Sequence, residues 1–220
     1  MPSPVRARHL AAFTRKEMVV LFAGIALLCS LAFPILRTAK ASAAVGQCSN
    51  QQKAMWAGLQ RFAMDDTVKV DAFPTSISVA SLASTQGPAD SPLLLYFHAA
   101  AKQIEAPVSL WCPGESREKL TTNWTTLSRS NFSYFLSLDA QPNSPEMVLL
   151  GDKHLETELP RSGSRLELTR SSVVRWGRAP HDGIGQFALA DGSVQRSHTN
   201  LVEFITPSLA PPPTNSLEFP

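Results

Sequence analysis

Several side chains in the second half of the chain are of types that bind metal ions or transfer protons: Asp152, His154, His181, Asp182 and Asp191. Imidazole and carboxylate groups are common ligands of divalent cations. Their spacing matches neither HExxH nor the paired CxxC arrangement of compact metal sites. We therefore expect His181 to hydrogen-bond the turn at Asp191-Gly192, and a cation at Asp182 and Asp191 is the weaker alternative.

The sequence lacks the other common catalytic patterns. It contains no G-x-S-x-G nucleophile elbow, no P-loop and no dinucleotide-binding glycine pattern. Basic residues form no stripe of the kind that binds nucleic acid, and acidic and basic residues nearly balance beyond Arg37. We expect a protein that is not an enzyme and that binds no nucleic acid.

Three cysteines are present, at positions 29, 48 and 112. Cys29 lies within an apolar run, whereas Cys48 and Cys112 follow it. A disulfide between Cys48 and Cys112 is expected if this region lies outside the cytoplasm. Two free buried thiols are an equal alternative.

An uncharged run of 19 residues, Met18 to Leu36, is long enough to cross a membrane. As a helix it spans roughly 28 Å, close to the thickness of a bilayer core. The basic residues before it favour a cytoplasmic N-terminus and place the rest of the chain outside. A secretory signal cleaved within the alanines at 39–44 is the alternative, although its apolar region is usually shorter.

The segment before the run, Ala12-Phe13-Thr14-Arg15-Lys16-Glu17, allows two interpretations. Thr14 and Glu17 have the spacing of a helix capping box. The segment also resembles the class III prepilin signal of type IV pilins and type II secretion pseudopilins, with Ala12 in place of the usual Gly. The resemblance implies that a prepilin peptidase cuts between Ala12 and Phe13 and methylates the new amine. Glu17, then the fifth residue, would pair with Phe13 of a neighbouring subunit.

Two further features resemble this class of proteins. Pro34 lies where such helices often carry a kinking proline, and it is expected to break or kink the helix here. "HDGIGQFALADG" places His181 and Asp191-Gly192 in the arrangement His-x9-Asp-Gly, which is similar to the C-terminal motif of prepilin-type proteins of planctomycetes and verrucomicrobia. The same resemblance makes calcium the cation to expect, because major pseudopilins carry one in a late loop.

The remaining patterns predict the elements that position these residues. A helix over 36–64 carries an apolar stripe interrupted by Gln52, and a second helix runs from Leu93 to about Glu105 after a Ser91-Pro92 start. Residues 65–90 are expected to form a loop. Strands are predicted at 108–112, 131–138, 146–151, 165–169 and 172–176, and a hairpin with a two-residue turn at Asp191-Gly192.

The fold class expected is α+β and pilin-like, with a long N-terminal helix packed on an antiparallel sheet. We expect a leader at 1–12, a transmembrane helix at 13–36, an extracytoplasmic domain at 37–206 and a disordered Pro-rich tail at 207–220. The function implied is that of a pseudopilin-like subunit of a type II secretion or type IV pilus-like assembly in the inner membrane. Its partners would be a prepilin peptidase, other pseudopilins and the membrane. The alternative is a membrane-anchored binding module for glycan or protein that does not polymerise.

Overall fold

The computed structural model describes residues 14–65, 72–86, 91–104, 106–115, 120–157, 165–169, 172–178, 180–181, 183–198 and 215–220. The chain divides into two compact units, Met1–Ser42 and Ala43–Pro220.

Helix α1 comprises Arg15–Ala63 and therefore contributes to both units. It begins with the capping box that the sequence predicts. The backbone N–H and the hydroxyl of Thr14 donate to Oε2 of Glu17 at 2.7 and 2.8 Å, and the backbone N–H of Glu17 donates to Oγ1 of Thr14 at 3.3 Å. The helix continues through Pro34, so the expected break is wrong, and the alternative of a kink stays a prediction.

The first unit exposes the apolar side chains of α1, such as Val20, Leu28 and Leu36. Mean hydropathy reaches 2.6 over an 18-residue window, none of which is buried. Within the part of the chain that the structure describes, α1 is long and apolar enough to cross a membrane. The transmembrane helix is thereby supported in length and composition.

In the second unit, α1 supplies one face of the core. Cys48, Met55, Leu59 and Phe62 are buried, as their three- and four-residue spacing predicts, whereas Val45 is only partly buried. Two shorter helices follow, α2 (Val79–Gln86) and α3 (Pro92–Ala99). Single turns of 3₁₀ helix lie at Pro74–Ser76, Pro107–Leu110, Trp124–Thr126 and Arg129–Asn131.

In the described residues, eight strands form two antiparallel sheets. They are β1 (Tyr134–Ser137), β2 (Val148–Asp152), β3 (Leu155–Thr157), β4 (Arg165–Leu168), β5 (Val174–Trp176), β6 (Gly185–Leu189), β7 (Val194–Ser197) and β8 (Asn215–Glu218). The larger sheet has the order β4-β8-β1-β2-β6-β7, and β3 pairs with β5 in a small second sheet. The α+β class, with a long N-terminal apolar helix and an antiparallel sheet, is confirmed.

The large sheet is covered on both faces. Tyr134 and Leu136 belong to the apolar cluster that includes α1 and α3, whereas Phe135 belongs to a second cluster with side chains of β4, β5 and β8. Alternate residues of β1 thus point into different cores, and all four are buried. The apolar runs 134–136 of β1 and 148–150 of β2 are buried on both faces for this reason.

Several predicted elements differ from the structure. Residues 65–90 are not all loop, because α2 lies there, and α3 ends at Ala99 rather than near 105. Residues 107–110 form a 3₁₀ turn, so the strand at 108–112 is wrong. The tail prediction at 207–220 is wrong for Asn215–Glu218, which pair with both β1 and β4. Residues 207–214 lie outside the described residues.

The hairpin of β6 and β7 is confirmed, but its loop is longer by one residue than predicted. The Leu189 N–H donates to the Ser193 carbonyl at 2.9 Å, which leaves Ala190, Asp191 and Gly192 as the loop. Gly192 has φ +87°, the left-handed conformation that three-residue hairpin loops commonly require at one position.

Candidate functional site

The segment from His181 to Gly192 meets one face of α1. Cys48, Gln52 and Trp56 are spaced four residues apart and so share that face. Each contacts a different part of the segment. The His-x9-Asp-Gly motif therefore lies along two turns of the helix within the second unit.

At one end, His181 packs against a disulfide between Cys48 and Cys112. The Cα atoms of the two cysteines are 5.4 Å apart. Nε2 of His181 lies 3.1 Å from Sγ of Cys112 and 3.3 Å from Sγ of Cys48, and all three residues are buried. Burial, with the nearby imidazole of His154, lowers the pKa of His181, which favours the neutral ring. Gly114 makes room, because a Cβ there would lie 2.9 Å from the His181 ring.

In the middle, Gln52 joins α1 to two strands of the sheet. Its Nε2 donates to Oδ1 of Asp152 at 3.3 Å and to the Gln186 carbonyl at 3.2 Å. The Gln186 N–H donates to Oδ2 of Asp152 at 2.9 Å, and Ser49 hydrogen-bonds the Gln186 side chain. The polar interruption of the apolar stripe thus belongs to a buried network.

Asp152 is the ionisable member of that network. Burial raises its pKa to about 7, and the hydrogen bonds from Gln186 and Gln52 oppose this shift without cancelling it. The nearby carboxylate of Glu115 raises the pKa further. Asp152 is the last residue of β2, one residue beyond the predicted strand at 146–151, and no local pattern in the sequence indicates that this strand end faces Gln52.

At the other end, the hairpin loop contacts Trp56. The indole Nε1–H donates to the Ala190 carbonyl at 2.7 Å. A Cβ added to Gly192 would lie 2.7 Å from ring atoms of Trp56. Position 192 therefore favours glycine for two reasons: the Trp56 ring lies close to it, and its backbone is left-handed.

Of the two residues suspected of binding a cation, Asp191 takes part in a local hydrogen bond. Oδ1 of Asp191 accepts a hydrogen bond from the Ser193 N–H at 2.8 Å, within the hairpin loop. Asp182 lies outside the described residues. In the described part of the chain, the group of three candidate ligands close enough to share an ion is Cys48, Cys112 and His181, and it does not contain Asp191. The expected hydrogen bond from His181 to the Asp191-Gly192 turn is replaced by the contact with the two sulfurs.

His154 belongs to a neighbouring ionic group instead. Its Nε2 lies 2.8 Å from Oε1 of Glu115, and Nζ of Lys153 lies 3.2 Å from Oε2. Burial raises the pKa of Glu115, but the hydrogen bond with His154 and the Lys153 ammonium outweigh it, so the pKa lies below its ordinary value. The Lys153 ammonium and the His154 imidazole thus serve as the partners of this carboxylate.

The residues expected to act in processing and assembly lie in the first unit. Ala12 and Phe13 are outside the described residues. Glu17 caps its own helix through Thr14, as described above. Pro34 lies within the continuous α1.

Comparison with known proteins found no match among family models, curated proteins or solved structures. The fold accordingly defines only a structural class. It is an α+β protein whose described part has one helix long and apolar enough to cross a membrane, with a sheet packed on the later part of that helix.

Proposed function

We propose that the chain is a pseudopilin-like structural subunit of a type II secretion or type IV pilus-like assembly. The strongest support is the make-up of α1. Its segment from Met18 to Leu36 carries no charge and exposes many large apolar side chains, whereas the later turns place Cys48, Met55, Leu59 and Phe62 in an α+β core. Exposed apolar surface of this extent needs lipid or other helices to cover it.

The second unit would lie outside the cytoplasm in this proposal. The basic residues before Met18 favour retention of the N-terminus in the cytoplasm. A disulfide between Cys48 and Cys112 is stable in an oxidising compartment, which fits an extracytoplasmic position. The membrane would be the inner membrane, crossed once.

Glu17 would act in assembly through an exchange of partners. A bare carboxylate in a bilayer costs a few kcal/mol. In the single chain, Thr14 lowers this cost by donating two hydrogen bonds to Oε2. Removal of residues 1–12 would create an amine at Phe13, and Glu17 of a neighbouring subunit would pair with it and fix the axial register of the helices.

The first experiment tests processing. The full chain is expressed with and without a prepilin peptidase, and the mature protein is analysed by mass spectrometry and N-terminal sequencing. We expect the peptidase to remove residues 1–12 and leave an N-methylated Phe13. An intact Met1, or cleavage near Ala44, would refute this proposal and favour the anchored binding module instead.

The second experiment separates pairing from helix capping. Glu17→Gln keeps a side chain that completes a capping box but removes the charge. Thr14→Ala keeps the charge but removes a cap, at a cost of about 1 kcal/mol. We expect Glu17→Gln and Glu17→Val to insert in the membrane and fail to cross-link into oligomers, whereas Thr14→Ala still assembles. Normal assembly of Glu17→Gln would show that charge pairing is not required.

A further inference from the structure

The cluster of Cys48, Cys112 and His181 has the composition of a metal site as well as that of a packed disulfide. The possible ligand atoms of the three side chains all lie within 4.8 Å of one another. Two sulfurs and one imidazole nitrogen form a set that soft and borderline cations prefer over calcium or magnesium. The three residues come from α1, from the segment after Pro107–Leu110 and from the segment before β6, so the fold itself brings them together.

We propose that reduction of the Cys48–Cys112 disulfide converts this cluster into a binding site for a divalent cation of the zinc class. The ligands are the two Sγ atoms and Nε2 of His181. Three protein ligands leave one position of a tetrahedral zinc ion for water. The site is thus a cross-link in one redox state and a cation site in the other.

A dithiol is the reductant of the Cys48–Cys112 disulfide in this proposal. The dithiol passes two electrons and two protons to the Cys48–Cys112 bond and becomes a disulfide, and the protein gains two thiols. A divalent cation then displaces the two thiol protons into solvent, because thiolate is the form that binds metal. Nε2 of His181 donates its lone pair and its ring stays neutral.

Charge and local hydrogen bonding favour this site over its neighbours. Two thiolates and one dication carry no net charge, which limits the cost of burying the assembled site. The Gly114 N–H lies 3.4 Å from Sγ of Cys112 and donates to it, and a donor of this kind stabilises a thiolate. The adjacent Glu115 carboxylate is a poorer candidate for a metal ligand, because it already pairs with the Lys153 ammonium at 3.2 Å.

Gly114 also sets the approach of His181 to the sulfurs. Its missing Cβ would lie 2.9 Å from Cε1 and 3.4 Å from Nδ1 of His181. A side chain at position 114 would push the ring away from Cys48 and Cys112. We therefore assign Gly114 a positioning role for the third ligand.

The test uses the full chain in detergent micelles in a Cys29→Ala background, which removes the third thiol. A phosphine reduces the disulfide, taking the oxygen of water to become the phosphine oxide. Co²⁺ is then titrated without oxygen, and Zn²⁺ is added as competitor. We expect one Co²⁺ per chain with sulfur-to-cobalt charge-transfer absorption, displaced by Zn²⁺. The oxidised chain should not bind.

Matched variants identify the ligands. His181→Ala should weaken binding by more than about tenfold, since loss of even an outer-shell partner costs 10–100-fold. In Cys48→Ser, which keeps only the sulfur of Cys112, the sulfur-to-cobalt band should be weaker than in the parent chain. His154→Ala, a histidine paired with Glu115, should bind as tightly as the parent chain. Equal affinity in the parent, His181→Ala and Cys48→Ser chains would overturn the assignment.

Two further measurements use only the parent chain, so they do not require any variant to fold. Zn²⁺ should slow alkylation of both thiols in the reduced parent chain, and equal rates with and without Zn²⁺ would overturn the proposal. If reduction unfolds the chain, circular dichroism should report refolding on addition of Zn²⁺, because binding then contributes to folding. Failure of Zn²⁺ to restore structure would equally overturn it.

Discussion

Replacing Gly192 with alanine should destabilise the second unit through two separable effects. The left-handed conformation at φ +87° costs a residue with a Cβ about 1–2 kcal/mol. The new Cβ would also lie 2.7 Å from the Trp56 ring, so the indole has to move. Moving it weakens the Trp56 hydrogen bond to Ala190, which is worth about 1 kcal/mol. The expected loss is about 2–3 kcal/mol in the free energy of unfolding.

Gly183 provides a matched control for the backbone effect. It has φ +82°, and a Cβ there would meet nothing within 4 Å. Gly183→Ala should therefore cost only the backbone part, about 1–2 kcal/mol. The difference of about 1 kcal/mol between the two variants measures the contact with Trp56.

The assay is urea unfolding of the full chain in detergent micelles, followed by far-ultraviolet circular dichroism. A Trp56→Ala background should remove the excess cost of Gly192→Ala and leave that of Gly183→Ala unchanged. Equal costs for the two glycines in the parent chain would refute the idea that the hairpin loop is fastened to α1 through Trp56.

Three further outcomes follow from the second unit. Cys48→Ala with Cys112→Ala removes a link between residues 64 apart, which should lower the free energy of unfolding by about 4 kcal/mol in the chain-entropy description; unchanged urea midpoints would contradict this. Between pH 4 and 7 the contribution of Asp152 to the free energy of unfolding should fall as the pH rises, because folding raises the pKa of Asp152 from 3.8 to about 7 and the folded chain binds the extra proton. The lowered pKa of His181 acts in the opposite direction, so the Asp152 part is measured as the stability difference between the parent chain and Asp152→Asn. A difference that does not change with pH would contradict the assignment. Ser91→Ala should cost about 1 kcal/mol, since Oγ accepts from the Leu93 N–H at 3.2 Å, with the loss measured by thermal unfolding; an unchanged melting temperature would show that the cap contributes nothing.

Local rules predicted the elements whose determinants lie close together in sequence. The Thr14-Glu17 capping box, the Ser91-Pro92 helix start and the Asp191-Gly192 hairpin each depend on a few adjacent residues. Even there, the loop length of the hairpin differed by one residue. Trp56, distant in sequence, lies against this loop and hydrogen-bonds the Ala190 carbonyl, a contact that adjacent residues do not reveal.

Long-range pairing is where sequence reasoning failed. Asn215–Glu218 follow three consecutive prolines, a composition typical of disorder, yet they lie between β1 and β4 in the large sheet. Leu217 and Phe219 are buried in the cluster that includes Phe135. Only four residues carry this signal, too few for alternation to distinguish a strand from a tail.

The buried face of α1 explains how the His-x9-Asp-Gly motif, late in the chain, packs in one position on a helix near its start. Cys48, Gln52 and Trp56 differ chemically, so each has a different partner. The Cys48 sulfur packs on His181, and the Gln52 amide donates to Asp152 and to the Gln186 carbonyl. The Trp56 indole donates to the hairpin loop. An apolar stripe alone would allow the sheet to slide along the helix, because apolar contacts carry no direction. Buried polar groups that must each find a particular partner fix one register. If the chain assembles through its apolar helix as proposed above, one register is needed, because any shift between sheet and helix would be repeated in every copy.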